Sequence, residues 1–111
     1  MPQTEEERRD KYYRQRFNIT LTDYENLLSR QAEKCAVCNS HVSSFKKRLA
    51  VDHNHKTGEI RGLLCFKCNH FVIGRYTDPD LLLAAARYLT GPHTGKFVIP
   101  KPKRKPRKKK H

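Results

Sequence analysis

Asp52-His53-Asn54-His55, together with Asn69, are the residues of this chain whose types could do chemistry. Asp and Asn offer hard oxygen donors, which suit Mg²⁺ or Mn²⁺ and poorly suit a soft zinc site. A histidine with an ordinary pKa near ~6.5 can take a proton from water at neutral pH. Two oxygens to hold a hard cation and an imidazole to activate water are the minimal parts for phosphodiester hydrolysis. A lone histidine is usually a surface or satisfied core residue, so placement carries the weight. The tetrapeptide lies between two cysteine pairs, Cys35-Ala36-Val37-Cys38 and Cys65-Phe66-Lys67-Cys68, and Asn69 follows the last cysteine directly.

Those pairs hold all four cysteines of the chain. One CxxC knuckle presents two sulfurs to one ion, and structural zinc takes four such ligands at ~2.3 Å in a tetrahedron. One structural Zn²⁺ per chain, on Cys35, Cys38, Cys65 and Cys68, is the expectation; the alternative is a mixed site in which His53 or His55 replaces a cysteine. The pairs are 26 residues apart, more than the usual ~15–20 of such sites, which leaves room for an inserted hairpin. A redox CxxC would sit at a helix start in a βαβ pattern, absent here. Cysteines on metal imply a reduced setting, and no apolar N-terminal stretch reads as a signal peptide, so a cytoplasmic location is expected.

With 111 residues and 36% hydrophobic content, the chain falls in the single-domain range with a small core, which makes a metal staple physically motivated. The formal charge is +13. Eight basic residues and no acid lie in the last eleven, Lys101 to His111, and removing those eight still leaves +5 on residues 1–100. A polyanion is the natural partner. Nucleic acid is favoured over a membrane because the tail has no aromatic or aliphatic anchor, and nothing approaches the ~20 apolar residues of a span.

The elements that must position these residues can be read in outline. Thr4-Glu5-Glu6-Glu7 and Thr22-Asp23-Tyr24-Glu25 both fit a capping box, predicting two helices within residues 4–33, broken at Phe17–Thr20. Tyr24, Leu27, Leu28 and Ala32 form the apolar face of the second. Arg48–Asp52 and Ile60–Leu64 are strand candidates, joined through a turn at Lys56-Thr57-Gly58. A hairpin there returns Cys65 and Cys68 toward Cys35 and Cys38. Residues from about 68 to 76 then read as helical, and Asp78-Pro79 caps a helix over Leu81–Leu89 that Gly91-Pro92 stops. From Pro92 onward, Pro and Lys without a hydrophobic run predict loop and disorder.

The run Cys35-x2-Cys38, Val51-Asp-His-Asn-His-Lys-Thr-Gly58 and Arg61-Gly-Leu-Leu-Cys65-x2-Cys68-Asn69 resembles the recombination endonuclease VII family of bacteriophages, a branch of the HNH, or ββα-metal, nucleases. The resemblance covers about residues 20–90. It implies a small zinc-stabilised α+β fold with a ββα-metal core of hairpin plus helix, flanked by N-terminal helices and a C-terminal helix. It also implies that the four cysteines hold structural zinc, that Asp52 and Asn69 bind a catalytic Mg²⁺ or Mn²⁺, and that His53 is the general base. His55 would support the metal or the phosphate. The family often carries a second acid between the two histidines, where this chain has Asn54. Products would bear 5′-phosphates, and the host would be a bacterium if the chain is phage-encoded.

Lys46, Lys47, Arg48, Arg61 and Lys67 surround the site in sequence and are the expected DNA contacts. No base-reading element is evident, so structure-selective cutting of branched DNA, as by a Holliday junction resolvase, or nonspecific nicking of duplex is favoured over a defined site. Resolvase-like action on a junction implies a homodimer, with residues 1–34 as the dimerising segment, 35–91 as the zinc-bound nuclease core and 92–111 as a basic tail. The competing readings are a noncatalytic zinc-stabilised nucleic-acid-binding module and a zinc-ribbon interaction protein whose tail is only an address.

Overall fold

The computed structural model describes residues 2–93 and 99–100, so the expected basic tail lies almost wholly outside the described residues. Helices α1 (Glu5–Phe17) and α2 (Leu21–Arg30) precede a two-stranded antiparallel hairpin of β1 (Ala50–His53) and β2 (Ile60–Leu64). A π-helical turn at Cys68–Ile73 follows, then α3 (Pro79–Thr90). The result is the small α+β arrangement the sequence predicts. One compact unit runs from Met1 to Thr77, and α3 belongs to a second that begins at Asp78. Asp78 caps α3 by accepting from the Asp80 N–H at 3.0 Å, with Pro79 in the first turn and Gly91 at the end.

Asn18 breaks the first two helices apart. Its backbone is left-handed (φ 56°), and its N–H closes α1 on the carbonyls of Arg14 and Tyr13. The capping box of Thr4 and Glu7 forms as expected, but that of α2 begins at Thr20 rather than Thr22. Thr20 is left extended by the turn at Asn18 and so meets the first free N–H groups: its hydroxyl accepts from Asp23 N–H at 3.0 Å, and the Asp23 carboxylate accepts from Thr20 N–H at 2.9 Å. Asp10 on α1 accepts from Leu21 N–H at 2.9 Å, which ties the two helix ends together. Because α2 ends at Arg30, Ala32 lies beyond it with φ 55° and does not extend its apolar face.

Tyr13 and Tyr24 stack with ring centroids 4.6 Å apart, and the Arg9 guanidinium lies over both rings. Leu49, Val51, Leu63, Leu64 and three of the cysteines complete the buried core. The Tyr24 hydroxyl donates to the Leu49 carbonyl at 2.7 Å. That carbonyl is therefore spent on a side chain, and the strand begins at Ala50 instead of Arg48. Gln31 joins α2 to the hairpin like an extra strand: its amide donates to the Leu63 carbonyl at 2.9 Å, and its oxygen accepts from Leu63 N–H at 2.9 Å. Gly62 permits this approach, since a Cβ there would stand 3.1 Å from the Gln31 oxygen.

Candidate active site and metal centre

The four cysteine sulfurs lie within 4.8 Å of one another, with Cys38 and Cys65 at 3.9 Å. A tetrahedron with ~2.3 Å metal–sulfur bonds has edges of about 3.8 Å, so the donor set fits a structural metal such as zinc. Backbone amides brace the knuckles: Cys65 N–H donates to Cys35 Sγ at 3.3 Å and Cys68 N–H to Cys65 Sγ at 3.5 Å. Hydrogen bonds from Ser40 bring the Cys38 thiol down to about 6, whereas burial and the neighbouring thiols push Cys68 up to about 12. A dication among the sulfurs removes that opposition by favouring every thiolate at once. No histidine joins the cluster, and among the described residues no other such group of His, Cys, Asp and Glu occurs.

Asp52 stands at the end of the hairpin, where the ladder is irregular. It pairs with Gly62, whereas His53 pairs with Ile60, so Arg61 is the extra residue of a β-bulge. Neighbours on a regular strand point to opposite faces, and a bulge re-aims them. Both Asp52 and His53 line the same cleft. The Arg61 guanidinium holds the buried Asp52 carboxylate at both oxygens, with Nε at 2.8 Å and Nη2 at 3.1 Å.

His53 lies between two rings, the edge-on Phe17 of α1 at 5.9 Å and His55 at 4.5 Å. Asn54 shapes the turn that follows: its side-chain oxygen accepts from the N–H groups of Lys56 at 2.9 Å and Thr57 at 3.3 Å. Asn54 thus has a local structural use. Asn69 enters from the π-helical turn, its N–H bonded to the Cys65 carbonyl at 2.9 Å. Only glycine fits at the end of this turn, because a Cβ on Gly74 would lie 2.5 Å from the Asn69 carbonyl oxygen.

Asp52, His53, His55 and Asn69 share one open cleft of about 1030 Å³. The expected contacts Lys46, Lys47 and Arg48 line it, although Arg48 is also paired with Glu5 at 2.8 Å. Arg61 instead lines a second hollow of about 400 Å³ that shares Asp52, His55 and Asn69 with the first. Lys67 is exposed and lines neither hollow. Arg8, Arg9 and Arg16 of α1 supply a further basic wall of the large cleft, which reading the sequence around the motif missed. The signal was present in the four-residue spacing of Arg8, Tyr12 and Arg16, which places them on one helix face.

The chain thus joins a four-cysteine cluster that fits a structural metal to an acid, two histidines and an amide that line one basic cleft. The chain belongs to the recombination endonuclease VII family, whose profile matches residues 8–91. It is similar to the Gene 59 protein of Mycobacterium phage D29, with 39% identity over 77 residues, covering 68% of this chain and 46% of that protein. The Gene 59 protein of Mycobacterium phage L5 is similar to the same extent. The chain therefore spans about half the length of the curated relatives it matches. No solved structure matches it. Among the described residues, no helix is long and apolar enough to cross a membrane.

Proposed function

We propose that the protein is a metal-dependent DNA endonuclease of the HNH type, acting in the host cytoplasm on branched DNA or nicking duplex without sequence preference. The observation that carries this reading is the convergence of Asp52, His53, His55 and Asn69 on a cleft whose walls bear Arg8, Arg9, Arg16, Lys46, Lys47 and Arg48. Those cations hold the phosphate backbone, sequence-independently and with a strong dependence on salt. His53 takes the proton from the attacking water, with the Phe17 ring packed against its imidazole. Asp52 and Asn69 would hold Mg²⁺ or Mn²⁺, which when bound neutralises charge on the phosphate and the leaving 3′-oxygen. Zinc on the four cysteines would do no chemistry; it would hold the knuckle whose Cys65 carbonyl accepts from Asn69 N–H. Residues 35–91 form the nuclease core, the basic tail adds affinity, and two chains pair to cut both strands of a junction.

A noncatalytic DNA-binding module is the second reading. It is favoured by Arg61, which already neutralises Asp52 at both carboxylate oxygens. Incubation of four-way junction, linear duplex and single-stranded DNA with the wild type and with His53→Ala, with and without Mg²⁺, separates the two. Cleavage that needs the divalent ion and falls at least ~10²-fold in the variant supports the endonuclease. Metal-independent cutting, or full activity in the variant, would overturn it. Salt-dependent binding with no cutting under any divalent ion would establish the module.

A further inference from the structure

Beside the second hollow lies a group of aromatic rings that the reaction does not use. Phe66 is 54% exposed and Phe71 47% exposed. Apolar rings left in water next to a polyanion-binding cleft call for an explanation, because most large aromatics reach the core. His70 stacks on Phe66 with centroids 5.2 Å apart and planes 9° from parallel. Phe71 meets both edge-on, at 6.0 Å from Phe66 and 4.8 Å from His70. Lys47 lies over Phe66 at 5.3 Å and Arg75 over Phe71 at 5.6 Å. Both cation distances are near the ~6 Å limit of such contacts, so the two long side chains can turn to phosphates without losing a close partner.

From these positions we infer that Phe66, His70 and Phe71 form a stacking platform for an unpaired DNA base next to the bond that is cut. His70 lines the second hollow with Asp52, His55 and Asn69. A base turned into that hollow meets the His70 imidazole, which is backed by the stacked Phe66 and the edge-on Phe71. Every base has a π-face, so the platform reads unpairing and not sequence. Lys47 lines the large cleft and Arg75 the second hollow, which sets one cation on each side of the site for the flanking phosphates. A fully paired duplex keeps its bases stacked on one another and gains nothing from the rings. The inference rests on the proposed endonuclease reading for its meaning, but it concerns binding alone and is measured without cleavage.

The test uses the full chain with His53→Ala, so that no DNA is cut. Its affinity is measured for a duplex with one unpaired base and for the fully paired duplex of the same length. The unpaired site is expected to bind about tenfold tighter, in line with the alanine cost of one stacked base. Phe66→Ala/His70→Ala brings that ratio close to one while leaving duplex affinity unchanged, and Phe66→Tyr/His70→Tyr, which keeps the rings, retains it. The fluorescent base 2-aminopurine at the unpaired position reports directly on the chain with intact rings: quenching on binding supports stacking, and brightening overturns it. A ratio that the alanine pair leaves unchanged overturns the platform even if the enzyme cuts DNA. So does a change of oligomeric state with no change of ratio, which would make the rings a contact between chains. If the wild type shows the same ratio but cuts none of these DNAs with any divalent ion, the endonuclease reading falls and the platform stands.

Discussion

Arg61 grips Asp52 from the one position in the hairpin where the strand ladder slips, giving the buried carboxylate two hydrogen bonds, at 2.8 and 3.1 Å. The pair makes the acid tolerable without a metal, because a buried carboxylate without a partner is costly. It also places a fixed cation where a divalent ion would need an oxygen. Arg61→Ala is therefore expected to destabilise the chain in the absence of Mn²⁺ by roughly 1–3 kcal/mol. Added Mn²⁺ should then raise the melting midpoint of the variant more than that of the wild type. Equal shifts in a thermal melt would mean that Arg61 and the ion do not compete for Asp52.

Removing zinc should act on the fold before it acts on chemistry. Cys65 and Cys68 flank the segment between β2 and the π-helical turn, and Asn69 is bonded to the Cys65 carbonyl. A structural zinc contributes an apparent ~10–16 kcal/mol in small zinc-binding units, as much as the whole stability of a typical domain at ~5–15 kcal/mol. Metal analysis is expected to find one zinc per chain, and chelation to abolish the cooperative melt of residues 1–77. Mg²⁺ alone should not restore it, and zinc should. A cooperative melt that survives complete chelation would show that the core needs no staple.

How much of this was legible depended on how local each cause was. The CxxC spacing predicted the sulfur cluster, and the turn at Lys56-Thr57-Gly58 predicted a hairpin because both are set within a few residues. β2 appeared over Ile60–Leu64 as expected. The start of β1 did not, because a tyrosine 25 residues earlier takes the Leu49 carbonyl. The bulge at Arg61 was invisible for a similar reason: alternation of residue types does not reveal which residue a ladder skips. Arg61 therefore read as a phosphate contact, although its guanidinium is turned onto Asp52. Gln31, an ordinary polar residue at a helix end, carries no signal that its amide will pair with Leu63 across the fold.

Tyr24 makes stability fall in alkali. Burial holds its hydroxyl protonated well above the ordinary tyrosine value of 10.0, and the same hydroxyl donates to Leu49. A group whose pKa is raised by folding contributes fully below its unfolded value, and that contribution is lost as pH rises through the folded value. Wild-type stability should hold up to about pH 10 and decline above it. Tyr24→Phe is expected to lose about 1–2 kcal/mol at neutral pH, since the Leu49 carbonyl is left without its donor. It should also decline less between pH 9 and 11 than the wild type does. Parallel denaturant curves for both proteins across that range would contradict this account.

Phe17 is the last residue of α1, and its ring packs against the His53 imidazole. The Phe17 and His53 ring centroids are 5.9 Å apart in an edge-on arrangement, and those of His53 and His55 are 4.5 Å apart. If His53 is the base, its efficiency depends on orientation, since misplacement by about 1 Å can cost ~10²-fold. Phe17→Ala is expected to lower kcat about tenfold with little change in KM, because the cations of the cleft proposed to hold the phosphate backbone remain. Phe17→Leu fills much of the space without a ring and should fall between. A parallel loss in KM would place Phe17 among the DNA contacts. An unchanged kcat would show that His55 and the hairpin hold His53 without help from α1.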